Sequence, residues 1–188
     1  MLRMEIGEGR IIMLDKIKSY APHVSSLIAS AVFLDSLRYK FTNAPETQVI
    51  FGRLDAWAGS FGAGGLFAQT GLFSQYVIGS AELVASACLL LGVFSAFRRL
   101  QTLGALMAVA VMSGAVSFHL FTPLGIDPNN DGGGLFAMAV TVWVGSLTLL
   151  VVRRKTLFAM LGGIREAILP SPGAASPSTF AKTRIHPI

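Results

Sequence analysis

The sequence predicts an all-α integral membrane protein, a four-helix up-down bundle with an interfacial segment between its first and second spans. Three observations carry that expectation. The chain is 53% hydrophobic and 13% charged over 188 residues, with a mean hydropathy of +0.63, which is too apolar for an ordinary soluble domain. Four apolar runs each approach the ~20 residues needed to cross a hydrocarbon core about 30 Å thick. The cations that give the net charge of +5 sit in short clusters bordering those runs, where they set membrane orientation and do not form a nucleic-acid surface. Cys88 is the single cysteine, so the chain holds no internal disulfide, CxxC pair or zinc pattern.

The elements follow in order. Residues 1–23 mix Arg3, Arg10, Lys16 and Lys18 with Glu5, Glu8 and Asp15. They lack the pattern of a cleaved signal peptide and are expected to remain as a cytoplasmic arm. The membrane domain is expected over 24–155. Its first span, at 24–41, has an entry that could precede Pro22 and carries Asp35, Arg38 and Lys40 in its last turns. Pro45 and Glu46 then mark a helix entry. The Gly- and Phe-rich stretch 59–76 follows, where Trp57, Phe61, Phe67, Phe73 and Tyr76 suit the headgroup boundary. A plain loop whose aromatics pack on helix ends fits those residues equally well.

The second span is expected at 77–97, with Glu82 as its one carboxylate, and the Arg98–Arg99 turn leads to a third at 101–121 that ends near His119. So short a turn makes these two antiparallel neighbours. A loop without Lys or Arg precedes the fourth span at 133–152, which Arg153, Arg154 and Lys155 stop. Residues 156–188 are expected to form a surface helix and a disordered tail rich in Pro, Ser and Ala. Cations in the arm, in the Arg98–Arg99 turn and after span four place both termini in the cytoplasm.

A charge inside a spanning helix is costly enough to mark a functional site. Glu82, Arg38, His119 and Asp131 are expected to meet at the outer-leaflet level, with Glu82 paired to Arg38. Asp35, Lys40, Glu46 and Arg53 stand nearby as secondary candidates. The cluster reads either as a structural clamp between spans one and two or as a site for a polar headgroup. No metal site is expected. Asp127, Asn129, Asp131 and Gly132 fit the first half of a calcium loop, but Met138 stands where the bidentate acid belongs. That leaves a helix-entry turn.

Four spaced blocks carry a resemblance: Lys40-Phe41-Thr42-Asn43-Ala44-Pro45-Glu46; Gly79-Ser80-Ala81-Glu82-Leu83; Ser117-Phe118-His119-Leu120 with Leu124-Gly125-Ile126; and Asp131-Gly132-Gly133. In this order they resemble the DoxX-like family of small bacterial membrane proteins, over roughly residues 24–152. The resemblance implies a four-helix protein of the bacterial inner membrane associated with redox chemistry. A quinone is then the candidate cofactor, with nothing bound covalently. The expected partners are the lipid bilayer and a membrane protein or second copy, without nucleic acid. Two functions are weighed: a quinone- or redox-associated membrane subunit, and a non-catalytic scaffold of a larger complex. A transporter has little support, because the chain shows no internal repeat.

Overall fold

The computed structural model describes residues 2–168, and all the regular structure among them is helical. The expected disordered tail lies outside those residues. Helix α1 spans Leu2–Phe41, so the expected arm is continuous with the first apolar segment. Arg10, Met13, Leu14, Lys16 and Lys18 favour the helix there, and it runs on through Pro22. Helix α2, Pro45–Gly59, starts with proline in its first turn, where the missing N–H costs nothing. Helix α3 is Gln75–Leu91, entered at Ser74, whose hydroxyl accepts from Val77 N at 3.3 Å. Helices α4, Arg98–Phe121, α5, Gly134–Val152, and α6, Arg154–Ile168, follow among the described residues.

The expected second span at 77–97 is shorter than anticipated. Helix α3 stops at Leu91, and Ser95–Phe97 form a single 3₁₀ turn leading into α4. Gly92 caps that end, and a Cβ there would lie 2.3 Å from Gln101 Cβ, so the start of α4 presses directly on the end of α3. Gly104 permits a second close approach, since a Cβ there would lie 2.9 Å from the carbonyl oxygen of Ala85 and from Leu89.

The four long helices close into a ring in which α1 and α4 each lie between α3 and α5. Ala29 and Phe33 of α1, Ala85 and Leu89 of α3, Ala105, Ala108 and Met112 of α4, and Ala139, Val142 and Leu149 of α5 form its core. The C-terminal end of α1 lies beside the start of α3, and the start of α4 lies beside the end of α5. Two polar ends result, one near Glu82 and one near Arg153. A second small core of Leu54, Ala58, Phe67 and Leu124 sits under α2 at the Glu82 end.

The segment 60–74 is irregular. Phe67 turns inward against Phe118, edge to face at 5.3 Å, while Phe61 and Leu72 are exposed. Among the described residues two helical stretches, Ser95–Phe121 and Gly134–Val152, are long and apolar enough to cross a membrane. Helix α3 is apolar but has 17 residues.

Candidate functional site

The inward stripe of α1 decides which cation meets Glu82. Pro22, Ser26, Ala29, Ser30, Phe33 and Leu37 are buried, at intervals of three and four residues that keep one helical face. The next inward position is Lys40, whereas Arg38 lies about 100° away from Leu37 around the helix. The expected Glu82–Arg38 pair is therefore absent. Lys40 Nζ donates to Glu82 Oε1 and Oε2, each at 2.8 Å, and also to Ser36 Oγ; the Ser36 hydroxyl donates to Glu82 Oε2 at 3.2 Å. All three ammonium hydrogens are engaged, and Glu82 is only 2% exposed. Arg38, with 67% of its side chain exposed, instead bonds Asp35 at 3.2 Å and the Tyr39 hydroxyl at 3.0 Å.

The other candidates are held separately. His119 is buried on α4, and its Nδ1 lies 2.6 Å from the carbonyl of Gly125. A carbonyl only accepts, so Nδ1 carries the proton in this bond. Its ring packs on Phe136 at 5.5 Å. Asp131 is exposed and caps α5: Oδ2 accepts from Leu135 N at 2.7 Å and Oδ1 from Gly133 N at 3.1 Å. Those donors, the Leu135 N–H foremost, hold its carboxyl below the usual carboxylate range despite some opposing burial. The half calcium loop is accordingly a helix-entry turn, tightened by Asp127 Oδ1 accepting from Asp131 N at 2.7 Å. Glu46 and Arg53 lie exposed on α2. The expected four-residue cluster thus resolves into four separate local arrangements.

The structure adds a carboxamide network that the sequence reading overlooked. Asn43, with a left-handed φ of 57°, presents Oδ1 to the side-chain amides of Gln48, Gln69 and Gln75. Gln75, almost wholly buried at the start of α3, also donates to the carbonyl of Lys40 at 2.8 Å. The network therefore ties the α1–α2 turn, the 60–74 segment and α3 to the backbone beside the ion pair. A cavity of about 300 Å³ opens next to it, lined by Gln48, Phe51, Asp55, Phe67, Gln69 and Gln75 among others. Asp55 Oδ1 fixes its wall by accepting from Gly65 N and Phe67 N at 2.9 and 3.0 Å.

A second network closes the opposite end. Buried Gln101 donates to Ser26 Oγ at 3.0 Å and to the Pro22 carbonyl at 3.3 Å, and its Oε1 accepts from Arg153 at 3.1 and 3.2 Å. Burial lowers the Arg153 pKa, and the nearby charge of Arg98 lowers it further. Among the described residues no group of three or more His, Cys, Asp or Glu could hold a metal ion. No family model, curated protein or solved structure matches the chain.

Proposed function

We propose that the chain is a multi-pass protein of the bacterial inner membrane, DoxX-like in kind, serving as a non-catalytic subunit of a quinone- or redox-associated membrane complex. Its termini lie in the cytoplasm, and α1, α3, α4 and α5 supply the four spans. The outward faces of these helices support embedding, for Leu27 and Leu34, Leu83 and Val84, Leu103 and Leu106, and Val144 and Val151 are all exposed. Apolar surface on every side of a bundle is a liability in water and suits lipid.

The observation that carries the non-catalytic reading is the saturation of the Lys40–Glu82–Ser36 group. A general acid or base needs hydrogen-bond reach to a substrate atom. Here both carboxylate oxygens and the whole ammonium are occupied within the protein. A second reading, direct handling of a quinone headgroup, draws on the cavity beside the carboxamides, whose mix of Phe and amide groups has the character of a ligand site.

Purification of the wild-type protein in mild detergent separates the two. The subunit reading expects stoichiometric recovery with a larger membrane complex and no quinone binding by the isolated chain. Quinone binding by the isolated chain, abolished in a folded Gln48→Ala or Gln69→Ala variant, would replace it with the headgroup reading.

A further inference from the structure

The end of the bundle opposite Glu82 carries two features that the ion pair and the cavity leave unused. The first is charge. Arg98, Arg99, Arg154, Lys155 and Arg165 are exposed there or on the adjoining α6, and among the residues whose side chains are described, which leave out Glu5, Glu8, Asp15 and Glu166, none offers them a carboxylate within salt-bridge distance. Neither 83–121 nor 132–165 contains an Asp or Glu. Among the residues whose side chains are described, Arg153 has only the neutral Gln101 as a side-chain partner, and it feels the repulsion of Arg98.

The second feature is apolar. Leu157 anchors α6 to the main core, but Phe158, Leu161 and Ile164, at three-residue intervals on one helical face, are 67%, 47% and 54% exposed. Phe94 and Phe97 stand exposed at the same end, between α3 and α4. A helix with cations beside an uncovered apolar stripe matches the surface of an anionic bilayer, whose headgroups take the charge and whose acyl boundary takes the stripe.

We propose that this end is a docking surface for anionic phospholipid: α6 lies in the membrane boundary with Phe158, Leu161 and Ile164 against the acyl chains, while Arg98, Arg99, Arg154 and Lys155 bind the headgroup phosphates. The inference rests on the membrane-embedded reading and adds to it a lipid preference located at one end. Electrostatic attraction of this kind amounts to roughly a five-fold gain in partition for each cation that meets the surface, and salt screens it.

The test places full-length protein carrying Phe158→Trp in nanodiscs of phosphatidylcholine doped with chain-brominated phosphatidylglycerol or, at equal content, chain-brominated phosphatidylcholine. Fluorescence beyond that of the wild-type protein reports the new indole. Strong quenching is expected, greater with the anionic lipid, and the difference should shrink as salt rises. Combined Arg98→Gln, Arg154→Gln and Lys155→Gln should erase the headgroup difference while leaving quenching by the chains. Should that variant fail to fold, the salt titration of Phe158→Trp alone carries the same information.

An indole that bromine leaves unquenched would overturn the proposal. So would quenching indifferent to headgroup and salt, or burial of the indole only when an acidic protein is bound. Failure of the protein to enter nanodiscs at all would sink the membrane reading itself, so the two outcomes are distinguishable.

Discussion

At the residue scale the central feature is a buried carboxylate whose partner comes from an unexpected position. Removing one member of a buried pair strands the other charge at a cost of about 3–5 kcal/mol. Glu82→Gln and Lys40→Met should each destabilise the protein strongly, and the double variant should lose less than the sum of the two. Arg38→Met, which breaks only an exposed pair with Asp35, should cost under about 1 kcal/mol. Thermal unfolding in detergent reads all four, and a larger loss from Arg38→Met than from Lys40→Met would contradict the assignment. The correct partner was legible in principle: the inward stripe Ser26, Ala29, Phe33, Leu37 leads by its own spacing to Lys40. Arg38 and Lys40 both lie in the last turns of the same helix, and composition alone does not say which face of a helix points inward. Asp131 provides a second case. Its lowered carboxyl pKa means that its stabilisation is complete above the ordinary unfolded value of about 3.9 and is lost as pH falls through the lower folded value. Asp131→Ala should cost about 1 kcal/mol near neutral pH, as helix-entry caps do, and should flatten that part of the acid-unfolding profile. An unchanged acid limb would show that the cap contributes nothing.

At the element scale α4 and α5 follow their apolar runs closely, because a run of that length reports burial or lipid contact directly, whereas α1 begins well before its run and α3 stops before the end of its own. What the runs conceal is how they end. Gln101 sits at the edge of an apolar stretch and reads as an ordinary first-turn residue, yet it is buried and joins α1, α4 and α5 through Pro22, Ser26 and Arg153. Partners so distant in the chain leave no local pattern to read. The 60–74 segment was ambiguous for a similar reason: its phenylalanines could lie in a headgroup layer or pack on helix ends, and Phe67 packs inward while Phe61 remains outside. The contact between α3 and α4 depends on Gly104. Gly104→Ala would force its methyl to within 2.9 Å of the Ala85 carbonyl and Leu89, an overpacking expected to cost about 1–3 kcal/mol. Gly162→Ala, in open space on α6, is the matched control and should be neutral or slightly stabilising. Equal losses in the two variants would mean that the helices are not packed as closely as described.

At the scale of the whole molecule, two polar ends are separated by apolar helix surface, and the proposed bilayer-spanning arrangement rests on that pattern. The Lys40–Glu82 pair and the carboxamides tie one end together, and Gln101 with Arg153 ties the other. Helix α3, at 17 residues, reaches about 26 Å at 1.5 Å per residue. It is therefore the element on which a four-span arrangement depends most. The most direct measurement is topology mapping with paired periplasmic and cytoplasmic reporters fused after Lys16, Ser60, Arg99, Pro128 and Lys155. The account predicts cytoplasmic signals at Lys16, Arg99 and Lys155 and periplasmic signals at Ser60 and Pro128. A periplasmic signal at Arg99, or the same side for Ser60 and Arg99, would contradict it, because α3 would then be oriented wrongly or would not cross.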